Sequence, residues 1–188
     1  GFATAGGVQY VACAGNFKDA GLEYTGALKV LQMIFSYEYL WIQIRVKGGA
    51  YGCMCSFSDQ GDSMFVTYRD PNLSESYKVY DEAADYVADF DADDRDMKKY
   101  IIGTIGSMDM PMEAVDMGAR SFHAYFLGKT EADLQKVRDQ VLSCTQEDIR
   151  ALAPIVKAVV EAGNRCCIGN EEKIDQNKEY FDEVKHVL

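Results

Sequence analysis

Strands joined by a hairpin and followed by a run of helices predict an α+β fold: two layers, a mainly antiparallel sheet with helices packed on it. Three observations carry this expectation. An alternating apolar run lies near the start of the chain, and a pair of such runs lies between 50 and 69. Apolar stripes at helical spacing dominate the rest. The strict strand–helix alternation of a doubly wound sheet is missing. With 188 residues the chain is the length of one domain, and we expect 1–188 to fold as a single unit with a substantial core.

The first strand is read over Val8–Cys13, ended by Gly15-Asn16. A long helix follows from Thr25 as N-cap, with Leu28, Leu31, Phe35, Trp41 and Ile44 on one face and Ile34 and Tyr37 beside them. Lys47 then Gly48-Gly49 stops it, a cation near the carbonyl end followed by residues free to turn left-handed. Ala50–Phe57 and Ser63–Arg69 read as a hairpin around the loop Ser58–Asp62, and Asp70-Pro71-Asn72 punctuates its end.

Five helical patterns come next. One carries Tyr77, Tyr80, Ala84 and Val87; a second carries Met97, Tyr100, Ile101 and Ile105. A third carries Met112, Val115, Ala119, Phe122 and Phe126 and opens beside Pro111. Thr130 with Asp133 opens the fourth, and Thr145 with Asp148 a fifth, both as capping boxes with Asp in the Glu position. Pro154 should kink or split that last helix, and Gly163 should end it. The acidic run Asp89–Asp94 reads as a solvated interhelical turn. Arg165–Gly169 reads as a strand, and Phe181, Val184 and Leu188 as the stripe of a final helix. Phe35, Trp41, Tyr80, Phe122 and Val137 are the expected core markers.

Composition narrows the function. Lys plus Arg number 19 and Asp plus Glu 30, a net charge of −11, which repels phosphate backbones and argues against a nucleic-acid partner. Lys29, Gln32, Glu38 and Gln43 interrupt the most apolar stretch, so no membrane partner is expected either. The six cysteines form no C-x-x-C pair and read as reduced thiols in a reducing intracellular compartment. The chain opens on Gly1 without a signal-peptide pattern, and we expect a piece of a longer polypeptide.

Catalytic candidates are scarce. The two histidines, His123 and His186, sit in no zinc-binding spacing; His123 reads as a structural histidine beside an apolar stripe. Glu183 and His186 could share a helix face as an ion pair. Cys53 and Cys55 point to one side of a strand and Cys166 and Cys167 to opposite sides, so buried inert thiols are expected rather than a metal site. Gly103 and Gly106 lie inside a helical pattern and read as packing residues. The segment that stands out is Tyr39–Gly52, where a helix runs through Gly48-Gly49 straight into a strand. It places Arg45 and Tyr51 at one rim. Residue chemistry alone leaves open whether Arg45 merely meets helix-end carbonyls and Tyr51 merely fills core.

That segment, Ser36-Tyr37-Glu38-Tyr39-Leu40-Trp41 and Ile44-Arg45-Val46-Lys47-Gly48-Gly49-Ala50-Tyr51-Gly52, resembles the C-terminal part of the pitrilysin/insulinase zinc metallopeptidases, closest to the presequence-protease branch. Tyr68-Arg69-Asp70-Pro71-Asn72 is a second match. Ile101–Gly106 with Asp109, and Arg138 with Thr145, Glu147 and Asp148, are weaker echoes. The resemblance runs from about Val8 to the end. It implies a β-α-β-β-α-α core and the fourth, non-zinc domain of an enzyme whose two halves close around a peptide-sized chamber. By the same resemblance zinc is held by another domain and none by this chain. The partners implied are an unstructured peptide and the N-terminal half of the same polypeptide. Arg45 and Tyr51 match an Arg and a Tyr that the family contributes to the closed active site, and Gly48 and Gly49 could admit a substrate backbone. The alternative is an inactive accessory or peptide-binding protein of the same fold.

Overall fold

The computed structural model describes residues 1–187. The chain runs β1 (Phe2–Thr4), β2 (Tyr10–Asn16), a 3₁₀ turn (Phe17–Ala20), then α1 (Ala27–Ile34), which continues as π-helix over Phe35–Tyr39 and Trp41–Lys47. The hairpin β3 (Gly52–Phe57) and β4 (Asp62–Tyr68) follows, then α2 (Ser74–Asp81), α3 (Ala83–Ala88), α4 (Asp94–Met108), α5 (Ala114–Phe126) and α6 (Glu131–Leu142). The remainder is α7 (Gln146–Arg150), α8 (Ala153–Glu161), β5 (Asn164–Asn170), α9 (Glu171–Gln176), a 3₁₀ turn (Lys178–Tyr180) and β6 (Lys185–His186).

The α+β expectation holds, as one six-stranded sheet in the order β3-β4-β2-β5-β1-β6. Pairing is antiparallel from β3 to β5 and parallel where β1 meets β5 and β6, so the sheet is mixed. One face is packed with helices. Val11, Cys13, Phe65 and Cys167 point into that layer and are buried with Leu28, Leu31, Phe35, Tyr77, Tyr80, Val156 and Val159 in a single cluster. Each fully buried Leu contributes about 1.5–3 kcal/mol by leaving water. Glycine lets layers close tightly: a Cβ on Gly15 would lie 2.6 Å from the Val159 carbonyl oxygen of α8.

The helix signals act where the sequence places them. Thr130 and Thr145 each close a reciprocal capping box with Asp133 and Asp148. Pro154 sits in the first turn of α8 and divides it from α7, and Gly163 ends α8 at φ +70°. Asp93, inside the acidic run, caps α4 by accepting from the Arg95 and Asp96 amides. Asp109 and Arg138, both in the weaker echoes, form a two-pronged ion pair at 2.6 and 2.7 Å between the end of α4 and α6.

Several expectations fail. Of the core markers, Phe35 and Tyr80 are buried and Val137 is half-buried, but Trp41 is 40% and Phe122 67% exposed. Trp41 comes out because i→i+5 bonding widens the spiral beyond 3.6 residues per turn, so a face counted at α-helical spacing drifts. The buried positions step Phe35, Leu40, Ile44 instead. Phe122 comes out because the whole apolar stripe of α5 has no cover among the described residues, and a pattern can mark a face as apolar without saying what covers it. His123 on that helix is exposed and not a packed structural residue.

The final helix is replaced by a short α9, a turn and β6. Backbone pairing of β6 to β1, with the Lys185 amide donating to the Gly1 carbonyl at 2.8 Å, outweighs the local helical stripe. His186 therefore faces Glu171, Nδ1 to Oε1 at 3.2 Å, and not Glu183, which pairs with Lys185. Of the expected stripe, Leu188 lies outside the described residues.

Burial pushes the Cys13 thiol up to about 11 and the Cys144 and Cys167 thiols to about 12. In the unfolded chain they titrate near the ordinary value of 9.0. Their contribution to stability is complete below that value and is lost as pH rises through the folded-state values. The urea midpoint under reducing conditions should therefore be steady up to about pH 8.5 and fall steeply from there to pH 11. A midpoint that stays level over that upper range would contradict the buried-thiol assignment.

Candidate functional site

The candidate site is the corner between the long helix and β3. The helix loosens where the Ser36 hydroxyl donates to the Gln32 carbonyl at 2.7 Å, a side chain competing within the helix ladder. It ends with Gly49 N donating to Arg45 O at 3.0 Å and Ala50 N to Ile44 O at 3.2 Å. This is the usual glycine C-cap pair widened by one residue, as a π-helix requires. Gly49 takes φ +80°, the left-handed conformation that glycine adopts without strain.

The segment Tyr68–Asn72 braces this corner. Five residues from Val66 to Asp70 span four from Gln9 to Ala12, a bulge closed by the Gln9–Asp70 bridge. Arg69 within it is at φ +49°, and its carbonyl accepts from the Tyr51 amide at 3.3 Å. The fully buried Asp70 carboxylate accepts from the Asn72 amide at 2.9 Å and the Ser76 hydroxyl at 2.6 Å. Asn72 then donates through Nδ2 to the Gly48 carbonyl at 2.6 Å. Asp-Pro-Asn, read from sequence as punctuation, is thus an Asx turn that fixes the glycine pair from outside. Gly48 is held by this contact and by the Gln43 carbonyl, which accepts its amide at 3.0 Å.

Arg45 does not turn to the helix-end carbonyls. Its guanidinium lies 4.0 Å over the Trp41 ring, half-buried, so the tryptophan that leaves the core forms the shelf that holds the charge. Tyr51 is not core either: it is 65% exposed and meets Tyr68 edge-on at 5.5 Å. Tyr68 meets Tyr10 in the same way at 5.5 Å. A row of three tyrosines therefore crosses β3, β4 and β2 on the sheet face opposite the helices, flanked by exposed Met54, Met64 and Ile168. The sequence named Arg45 and Tyr51; the Trp41 shelf and the Asn72 brace are added by the fold.

The thiols supply no nucleophile here. Burial pushes Cys53 up to about 11, against the pull of the nearby Arg45 charge, and raises Cys55 further. All six cysteines are unpaired. No group of three or more His, Cys, Asp or Glu among the described residues is placed to hold a metal ion.

Comparison with solved structures places this fold among zinc-protease domains. The inactive peptidase domain of a Bordetella parapertussis protein assigned as a zinc protease superposes with TM-score 0.64 at 16% identity, covering 87% of this chain and 92% of that one. A Helicobacter pylori protease gives TM-score 0.64 at 15% identity over 89% of this chain and 43% of that one. Sequence carries the assignment further. The family model described as the PreP C-terminal domain matches residues 2–170, and the chain belongs to that family. A Clostridium perfringens protein named HypA is 43% identical over all 188 residues, and presequence protease 1 of Arabidopsis thaliana, chloroplastic/mitochondrial, is 34% identical over 96% of this chain. The chain spans 19% and 17% of the length of these two relatives.

Asn72→Ala should cost about 1 kcal/mol, the usual net value of one hydrogen bond, and Gly49→Ala about 1–2 kcal/mol for a left-handed residue with a Cβ. Both should speed amide exchange at Gly49 and Ala50 while leaving exchange in β2 unchanged. Equal acceleration throughout the sheet would show that Asn72 supports the fold generally and not this corner.

Proposed function

We propose that residues 1–188 form the C-terminal, non-zinc domain of a zinc-dependent metalloendopeptidase that degrades unstructured peptides in a closed chamber. The observation that carries this reading is the corner itself. A fixed guanidinium and an exposed phenol project from one braced turn beside an open, tyrosine-lined sheet face. Family membership supports the peptidase context. The exposed apolar stripe of α5 supports a partner surface, which we assign to the N-terminal half of the same polypeptide.

In peptide hydrolysis negative charge builds on the scissile carbonyl oxygen. The zinc of the first domain polarises that carbonyl when bound. Arg45 and Tyr51 donate hydrogen bonds to the developing charge or to neighbouring substrate carbonyls. Because they stand on the wall opposite the metal, chamber closure becomes a condition for turnover. Gly49 leaves space for a substrate backbone, whereas a Cβ on Gly48 would lie 2.5 Å from the Ile44 carbonyl oxygen of its own helix, and the tyrosine row offers rings for substrate side chains.

The test is steady-state kinetics of the full-length enzyme on an unstructured peptide. Tyr51→Phe keeps the ring and removes one donor, and should lower kcat about 10²–10³-fold with little change in KM. Arg45→Lys should be nearly as damaging as Arg45→Ala, because an ammonium lacks the planar fork and stacks less well on Trp41. Melting temperatures of all three should stay close to wild type. Near-normal turnover in Tyr51→Phe would overturn the reading and favour an inactive, peptide-binding protein of the same fold.

A further inference from the structure

A cavity of about 720 Å³ opens between the first half of the long helix, α4, α5, α6 and the β3–β4 turn. Its size falls in the range of small-molecule sites. It lies at the far end of β3 from the Gly48-Gly49 corner, about 17 Å away at roughly 3.3 Å per strand residue. Nothing in the peptidase reading uses it.

Its wall carries three cations, Lys29, Arg120 and Lys129, and one carboxylate, Asp59. Asp59 pairs with Lys129. Among the described residues Lys29 and Arg120 have no carboxylate within salt-bridge distance. In a chain with 30 acidic and 19 basic residues, two unpaired cations facing one concavity run against composition. Lys29 is half-buried on α1, and burial lowers its proton affinity; Asp59 opposes this, while Lys129 and Arg120 add repulsion. An anion in the cavity would relieve that repulsion.

Three of the wall hydroxyls are engaged within their own helices. Ser36 donates to Gln32, Thr104 to the Tyr100 carbonyl at 2.8 Å and Ser107 to the Gly103 carbonyl at 3.1 Å. Lys29 and Arg120 supply the unpaired positive charge on this wall, from different helices, with the Tyr24 and Tyr37 hydroxyls beside them. The remaining wall includes Met33 and Leu134, suited to an apolar body.

We propose that this cavity is a binding site for an organic anion, a carboxylate or phosphate head on an apolar body, clamped between Lys29 and Arg120. The head can belong to a free small molecule or to the terminal carboxylate of a peptide. The probes are 4-phenylbutyrate and phenyl phosphate, with neutral 4-phenylbutanamide as control, titrated into the 188-residue chain and followed by amide chemical shifts. A short apolar peptide with a free or an amidated C-terminus distinguishes the second source.

The anions should bind, shifting the amides of α1 and α6, and the neutral amide should not. Lys29→Gln and Arg120→Gln should each weaken binding about tenfold or more, as loss of a charged donor does. Lys29→Arg should retain it, and Arg45→Ala should leave it unchanged. Preference for the free-carboxylate peptide over phenylbutyrate would assign the peptide source. Equal binding of the neutral amide, indifference to both glutamine variants, or no shift at 10 mM probe would overturn the proposal. Melting temperatures within a few degrees of wild type guard against unfolding. Because the site is remote from Arg45 and Tyr51, its failure leaves the peptidase reading untouched, and the reverse also holds.

Discussion

The pairing of β2 on both edges is the constraint on which the rest depends. Residues near the start of the chain must find β4, some fifty residues on, and β5, about one hundred and fifty residues on, before the sheet exists. These pairings are expensive in loop entropy and are supported by what they bury. Val11, Cys13, Phe65 and Cys167 are sealed beneath the helices, and the Tyr80 hydroxyl reaches down to donate to the Val11 carbonyl at 3.1 Å. The intervening helices are thus the roof that makes the long-range pairing favourable.

The candidate site follows from that frame. The bulge that offsets β4 from β2 at Thr67–Arg69 carries the chain to Asp70, whose buried carboxylate organises the Asx turn. Asn72 in that turn holds Gly48. On the other side, the widened helix brings Trp41 out to the flank and sets Arg45 on it. Two irregularities, a strand bulge and a π-helix, meet at one corner. Such departures from regular geometry recur at functional sites because they re-aim side chains that regular elements would direct elsewhere. The length of β3 separates this corner from the cationic cavity.

On this acidic chain, α5 leaves an apolar face uncovered among the described residues. α5 shows Phe122, Phe126, Val115 and Met117 to solvent, while its Arg120 faces the cavity. The Phe122 and Phe126 rings meet at a tilt, centroids 4.5 Å apart, which shields part of their area and leaves the rest open to solvent. An apolar face of this extent on one helix is what association surfaces offer.

Sequence by itself determined the α+β class, the hairpin, the capping boxes at Thr130 and Thr145, and the break at Pro154. Each of these is a local signal: a side chain bonding its own backbone, or an alternation fixed by strand geometry. The blocks 36–52 and 68–72 also marked the segments that build the corner. Tertiary structure alone decided the rest. Trp41 left the core because helix pitch is set by contacts along the whole element and not by its composition. The chain after Gly169 gave up a helical stripe because β1 offered unpaired backbone groups. The brace from Asn72 to Gly48 and the convergence of Lys29 with Arg120 join residues far apart in sequence. No periodicity encodes such meetings, because they depend on how the helices lie on the sheet.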